Sequence, residues 1–168
     1  MFLLPNWLIY TVTFPGVIIH ELAHELFCIL FGVKVTKSVY FQMNSDVAGY
    51  IEHEQPTTLN QLFWISAGPL VLNSILAIVL SHRFFAYEAS YLIQIITIWL
   101  AFSVGLQAFP SNQDAKNIIS DSKELGGGIT FSLISYPFFA LIWLANFLKY
   151  FWFDIAYALL MIWLGFII

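Results

Sequence analysis

Long apolar stretches are the feature of this sequence that most constrains its fold. A transmembrane α-helix needs about 20 mostly apolar residues, because it rises about 1.5 Å per residue through a hydrocarbon layer about 30 Å thick. Three stretches approach or exceed that length, and a fourth is long enough for two spans. They cover residues 7–33, 59–80, 86–109 and 129–168. The pattern predicts an all-α polytopic membrane protein with about five transmembrane helices.

The composition fits a chain whose main solvent is lipid rather than water. Only 10% of the 168 residues are charged, 60% are hydrophobic, and the mean hydropathy is +0.82. A net charge of -4 with scattered basic residues argues against nucleic acid as a partner. Cys28 is the only cysteine, so an intramolecular disulfide and a paired-cysteine zinc site are excluded. A metal would therefore need His and carboxylate ligands.

We expect a single membrane-embedded domain over residues 1–168, with a core at about 7–125 and C-terminal helices at about 129–168. The N-terminal segment has neither a basic n-region nor a small-residue cleavage site, so we interpret it as the start of the first span. The positive-inside rule favours a multi-pass topology with the N-terminus outside. That orientation places most basic side chains on the cytoplasmic side, namely Lys34, Lys37, Lys116 and Lys123.

Two polar segments interrupt the apolar pattern. Residues 33–55 alternate between apolar and polar side chains on either side of a turn at residues 45–46, which predicts a small membrane-associated β-hairpin. Residues 110–128 begin with a proline, contain a short amphipathic stretch and end in three glycines. This second segment is typical of a broken or re-entrant helix followed by a flexible link.

The motif His20-Glu21-Leu22-Ala23-His24 lies inside the first apolar stretch. Positions i and i+4 of a helix share a face, so the two imidazoles can reach one metal ion, and the carboxylate of Glu21 can act as the base for a metal-activated water. The alternative is that both rings only bond to neighbouring helices while Glu21 pairs with a lysine. Ionisable groups at membrane depth are costly and usually functional, which favours a zinc site.

A catalytic zinc site usually has three protein ligands, so a third is needed. Asp114 is favoured because it follows Pro110, where a helix must break, and such breaks at membrane depth line protein or a wet cavity. The alternative is a helix cap, with Ser111 or Asn112 at the N-cap and Asp114 in the first turn, and the two roles are compatible. The remaining candidates are more typical of solvated or interfacial positions: Asp46, Glu52, His53, Glu54, His82, Glu88 and Asp154.

Three segments of the chain resemble the site-2 protease clan of intramembrane zinc metalloproteases, the M50 peptidases, and especially its short M50B-like members. FPGVIIHELAHELFCILFGVKV is similar to the family's first core helix, and SAGPLVLNSILA to its second, with a Gly-Pro pair and a downstream Asn. FPSNQDAKN is similar to the segment that supplies the third zinc ligand. The three segments occur in the family's order.

The resemblance implies a catalytic core of three transmembrane helices, with zinc held by His20, His24 and Asp114 and water activated by Glu21. It also implies cleavage of membrane-anchored protein substrates within or near the lipid bilayer. In this family a β-structure near the site pairs with an unwound substrate, and here Gly49 would allow close backbone approach. The alternative is an ordinary hairpin at the membrane surface.

The chain departs from the family pattern at two positions. The usual Gly-Pro-x-x-Asn spacing would place the amide at position 72, but Leu72 stands there and Asn73 follows, about 100° further round the helix. Asn73 is therefore a weaker candidate for binding substrate or the transition state. Ala115 follows Asp114 where many members have glycine.

Two other functions compete with proteolysis. A non-proteolytic relative could keep the zinc site as a structural or regulatory element, which the displaced Asn73 motivates. A small transporter could use intramembrane ionisable residues as a pathway, but these residues are concentrated in two segments here, which argues against transport. Cys28, four residues after His24, is predicted to fill the core rather than bind metal.

Overall fold

The computed structural model describes residues 5–43, 47–111, 114, 125, 140, 143–144, 147–148 and 152–168. This part of the chain is mostly helical and contains one small antiparallel sheet, as the sequence predicts. The elements in chain order are α1 (Asn6–Val12), α2 (Phe14–Leu30), β1 (Val35–Val39), β2 (Tyr50–His53), α3 (Leu59–Ala86), α4 (Tyr91–Leu106) and α5 (Phe153–Ile167).

The first predicted span, residues 7–33, contains two helices that meet at Thr13. Thr13 lies outside helical geometry, and its Oγ1 donates to the carbonyl of Ile9 at 2.7 Å. Pro15 lies in the first turn of α2, where the absent N–H of a proline costs nothing. The break separates a short leading helix from the one that carries the His-Glu-x-x-His motif.

The helix α3 is longer than its prediction of residues 59–80 and runs to Ala86. A capping box begins it: the Thr58 hydroxyl accepts from the Gln61 N–H, and the Gln61 side chain accepts from the Thr58 N–H. At 28 residues α3 is about 42 Å long. It packs against α2, α4 and α5 and is the central element of the described helices.

The two paired strands of the predicted hairpin are confirmed, and their association with a membrane stays a prediction. Strands β1 and β2 pair antiparallel with Val39 opposite Tyr50 and Ser38 opposite Ile51, and an irregularity separates Val35 from Lys37. The predicted turn at residues 45–46 lies outside the described residues. The hairpin contacts α2, so it stands beside the helix that carries the motif.

Among the described helices, α3 has the length and apolar composition of a membrane span, whereas α4 and α5 are apolar but shorter. Helix length alone therefore does not support about five spans, and that number stays a prediction. Of the predicted broken segment at residues 110–128, the structure describes Pro110, Ser111, Asp114 and Leu125. The sequence predicts two spans over residues 129–168, and most of the first half of this stretch also lies outside the described residues.

Candidate metal centre

His20 and His24 lie one turn apart on the buried face of α2. Each residue is 7% exposed, and their Nε2 atoms are 3.2 Å apart. The i, i+4 spacing therefore brings both rings to one point between α2, α3 and α4, as the sequence predicts.

Both rings are held by main-chain carbonyls of neighbouring segments. Nδ1 of His20 donates to the carbonyl of Gln107 at 2.7 Å, and Nδ1 of His24 donates to the carbonyl of Ile65 at 2.8 Å. A carbonyl can only accept, so each Nδ1 carries the hydrogen and, in the neutral ring, each Nε2 has a free lone pair. This is the tautomer in which a histidine binds a metal through Nε2.

Asp114 completes a three-residue cluster. Its Oδ2 lies 3.5 Å from Nε2 of His20, and its Oδ1 lies 3.5 Å from Nε2 of His24. The residue also exchanges two hydrogen bonds with Ser111 in the pattern of the predicted cap: Oδ2 accepts from the Ser111 N–H at 2.6 Å, and the Asp114 N–H donates to Ser111 Oγ at 3.1 Å. The cap and the approach to the histidines occur together, and the cap fixes where the carboxylate points.

The spacing of these atoms fits a zinc ion. A tetrahedral zinc with bonds of about 2.0–2.1 Å separates its ligand atoms by about 3.3 Å. The two Nε2 atoms are 3.2 Å apart, and each lies 3.5 Å from a different carboxylate oxygen of Asp114. Two lone pairs and a carboxylate converging in a buried place repel one another unless a metal ion or a proton lies between them. Within the described part of the chain, this is the group of His, Cys, Asp and Glu residues close enough to share one ion.

The other predicted candidates on the hairpin are engaged at its surface. Glu52 pairs with Lys37 at 3.9 Å and Glu54 with Lys34 at 3.3 Å, and all four side chains are more than half exposed. Nδ1 of His53 donates to the carbonyl of Glu54 at 2.8 Å. None of these three is brought near the cluster of His20, His24 and Asp114.

The remaining candidates lie elsewhere in the described structure, except Asp46, which lies outside it. His82 is inside the long helix α3, and Glu88 is exposed in the connection to α4. Asp154 is buried in the first turn of α5, where its Oδ1 accepts from the Ile155 N–H at 3.0 Å. Cys28 packs with Val33 and Ile65, in line with the prediction that it fills the core.

Glu21 is 8% exposed and lies beneath the hairpin. A Cβ on Gly49 would be 2.8 Å from Cγ of Glu21 and 2.9 Å from the carbonyl oxygens of Val39 and Tyr40. Only glycine fits between the carboxylate side chain and the neighbouring backbone. Gly49 therefore allows the hairpin to approach Glu21 closely, whereas its predicted approach to a substrate strand stays a prediction.

Glu25, a residue that the sequence reasoning missed, fastens the hairpin to α2. Its Oε2 accepts hydrogen bonds from Ser38 Oγ at 3.3 Å and from the Tyr40 hydroxyl. The bond to Glu25 raises the pKa of Tyr40 above its ordinary value, because it stabilises the protonated phenol. An ionisable residue in an apolar helix, one turn after Glu21, was the signal that could have indicated it.

Asn73 is fully buried and faces α4. Its Nδ2 donates to the carbonyl of Gln107 at 3.1 Å, with the Val104 carbonyl at 3.4 Å, so it shares one acceptor with Nδ1 of His20. Its Oδ1 has no hydrogen-bond partner among the described residues. Asn73 thus lies behind a histidine of the cluster, and its predicted contact with substrate or the transition state stays a prediction.

The fold and this cluster define a helical protein with a His-Glu-x-x-His centre of the kind that zinc hydrolases use. Residues 13–106 match the sequence model of the DUF3267 family, described as "Putative zincin peptidase". The match covers more than half of the chain, and the chain belongs to this zinc metallopeptidase family. Zinc is the cofactor that the family implies. Searches of curated proteins and of solved structures find no match.

Proposed function

We propose that this protein is an intramembrane zinc metalloendopeptidase related to the site-2 protease clan, acting on membrane-anchored protein substrates. One observation carries the proposal. The Nε2 atoms of His20 and His24 and the carboxylate of Asp114 converge at zinc-ligand spacing, with both Nδ1 atoms engaged elsewhere. Such an arrangement is costly unless a proton or a metal ion lies within it, and the free Nε2 atoms are oriented to bind a metal ion.

The roles of the residues follow from their positions. His20, His24 and Asp114 would hold the ion, leaving a coordination position open for chemistry. When bound, zinc polarises the scissile carbonyl and lowers the pKa of a water molecule. Glu21, adjacent to His20 on α2, accepts a proton from the attacking water on its carboxylate and delivers it to the leaving amine nitrogen.

Exposed apolar surface supports a membrane setting with several spans. On α3 the side chains of Val71, Ile75 and Val79 form an outward stripe at four-residue spacing, with exposed fractions of 39%, 54% and 50%. The exposed side chains of α4 and α5 are also large and apolar, including Tyr91 and Trp163. Large contiguous apolar surface of this kind is typical of contact with lipid or with another apolar partner.

The hairpin supports a substrate that is bound as an extended strand. A two-stranded sheet has outer edges whose backbone groups can pair with another chain. Because the hairpin lies on Glu21 at Gly49, a strand added to it would pass close to the base. We therefore infer that the segment around the cleaved bond unwinds and pairs with the hairpin.

The test compares zinc content and cleavage in four purified proteins reconstituted in lipid: wild type, Glu21→Gln, Asp114→Ala and the control Glu88→Ala at an exposed position. The substrates are a panel of single-span reporter proteins. We expect Glu21→Gln to keep zinc and lose at least about a hundredfold in cleavage rate. We expect Asp114→Ala to weaken zinc binding by more than about a hundredfold, since even residues behind the ligands are worth about 10–100-fold.

Each outcome has a separate meaning. Wild type without zinc would contradict the enzyme hypothesis, and zinc unaffected by Asp114→Ala would remove the third ligand. Zinc-loaded wild type that cleaves no reporter, with Glu21→Gln indistinguishable from it, would favour the non-proteolytic alternative. Loss of zinc in Glu88→Ala would show that the effects are not specific to the cluster.

A further inference from the structure

Pro69 lies in the interior of α3 and is fully buried. In an α-helix each N–H donates to the carbonyl four residues earlier, and proline has no N–H to donate. The carbonyl of Ile65 therefore lacks the donor that it would have in a regular α-helix. Ile65 is itself 3% exposed, and a buried carbonyl without a partner is costly.

The missing donor is replaced by His24. Its Nδ1 donates to the Ile65 carbonyl at 2.8 Å, across a separation of 41 positions in the chain. The proline thus leaves an acceptor in the middle of a continuous helix, and a histidine of the metal cluster donates a hydrogen bond to it. Because the bond fixes the hydrogen on Nδ1, it also fixes the direction of Nε2.

His20 obtains its carbonyl in a different way. Gln107 is the residue that follows the end of α4, where the last carbonyls of a helix have no intrahelical donors. The same solution is not open to α3 at Ile65, since that helix continues to Ala86. A proline four residues later is the way to free one carbonyl there while the helix continues.

We propose that Pro69 is a positioning residue of the zinc site: by lacking an N–H it reserves the Ile65 carbonyl for His24 and thereby aims Nε2 of His24 at the ion. The proposal rests on the ligand role proposed above for His24. It assigns to Pro69 a role in metal binding and not only in helix packing.

The test is Pro69→Ala, which restores an N–H at the Ile65 carbonyl. A carbonyl can accept two hydrogen bonds, as that of Gln107 does, so we expect the second donor to weaken and redirect the bond from His24 rather than to exclude it. The matched control is Pro15→Ala, in the first turn of α2, where a restored N–H has no intrahelical carbonyl to take. We expect Pro69→Ala to raise the zinc dissociation constant roughly tenfold, measured by competition with a chelator, as for other groups that orient metal-binding histidines. With Co²⁺ as the probe, its absorption spectrum should change in Pro69→Ala and stay as in wild type in Pro15→Ala.

Stability separates positioning from packing. Alanine is a better helix former than proline, and this offsets the lost contacts of the proline ring. We therefore expect the metal-free Pro69→Ala protein to have an unfolding temperature at least as high as that of the metal-free wild type. Equal zinc affinity and equal Co²⁺ spectra in the two alanine variants would overturn the proposal. The proposal would also be overturned if Pro69→Ala lowered the zinc affinity and the stability of the metal-free protein together. A wild type that binds no zinc would instead contradict the proposed function.

Discussion

The two sides of α2 are held in place by different kinds of contact. On the side of the helical bundle, His20 and His24 donate to main-chain carbonyls of Gln107 and Ile65. On the side of the hairpin, Glu25 accepts from side-chain hydroxyls of Ser38 and Tyr40. The geometry of the metal cluster therefore depends on how closely the helices approach one another, whereas the position of the hairpin over Glu21 depends on a few side chains.

This difference predicts separable defects. A carbonyl acceptor stays in place when the side chain of its own residue is replaced. The hydrogen bonds of the His20 and His24 rings should instead fail when the helices are forced apart. The hairpin contacts should fail when one hydroxyl or one glycine is changed, and the metal should then remain bound. Substitutions on the two sides can test whether holding zinc and using Glu21 are independent.

The largest effect is expected for Gly16→Ala, on the bundle side. A Cβ there would lie 2.0 Å from the carbonyl oxygen of Ser103, so α2 and α4 must separate. Overpacking of this kind costs about 1–3 kcal/mol, and here it also draws His20 away from Gln107. We expect a lower unfolding temperature and weaker zinc binding, measured by thermal scans and chelator competition. Ile29→Ala, on the exposed face of α2, should change neither.

A smaller and different defect is expected for Gly49→Ala, on the hairpin side. The added Cβ overlaps Cγ of Glu21 and the backbone of β1, so the hairpin must shift or the carboxylate must move. We expect about a tenfold lower kcat with zinc content unchanged, because misplaced catalytic groups lose rate while the ligands stay in place. Loss of zinc in this variant would contradict the independence of the two sides.

Tyr40→Phe should have a weaker effect in the same direction. It removes one of the two hydroxyls that donate to Glu25, and with it part of the attachment of the hairpin to α2. Ser38 remains, so we expect the hairpin amides to exchange hydrogen about three- to tenfold faster while those of α3 do not change. Thr36→Val is the control, since Thr36 donates only within the hairpin, to the Glu52 carbonyl at 3.1 Å. Identical exchange in the two variants would show that Glu25 does not hold the hairpin.

The smallest effect is expected for Ile65→Val. The acceptor for His24 is the carbonyl of residue 65, which the substitution keeps, and the loss of one buried methylene costs about 0.5–1.5 kcal/mol of stability. We expect zinc affinity within about twofold of wild type. A larger loss of affinity would mean that the side chain of Ile65, rather than its carbonyl, orients the ring.

Local patterns made several features predictable. The spacing of His20 and His24 places both rings on one face of any α-helix, and the alternation over residues 33–55 is that of paired strands. Asp114 after Pro110 indicated a carboxylate at a helix start, and the cap formed with Ser111 agrees with that interpretation. Periods and turns of this kind are properties of neighbouring residues, so they can be read without knowing the fold.

Other features could not be predicted locally. The first apolar stretch is divided into α1 and α2 at Thr13, and α3 continues past residue 80 through His82. Packing and backbone hydrogen bonding decide where an apolar stretch stops being helical. The direction of Asn73 depended on the carbonyl of Gln107, the residue that follows α4. A one-residue displacement from the expected spacing gave no indication of that partner.

The sequence by itself determined a helix with two histidines and a glutamate on it, a hairpin, and the apolar elements around them, since these depend on periodicity and composition. Only the tertiary structure decided that Ile65 and Gln107 supply the carbonyls for His24 and His20, and that Gly49 lies on Glu21. The physical reason is that these contacts join residues far apart in the chain, and two of them use main-chain atoms that every residue possesses. A proline inside a helix, such as Pro69, indicates which carbonyl lacks its usual donor, but nothing in the sequence indicates which side chain will donate to it.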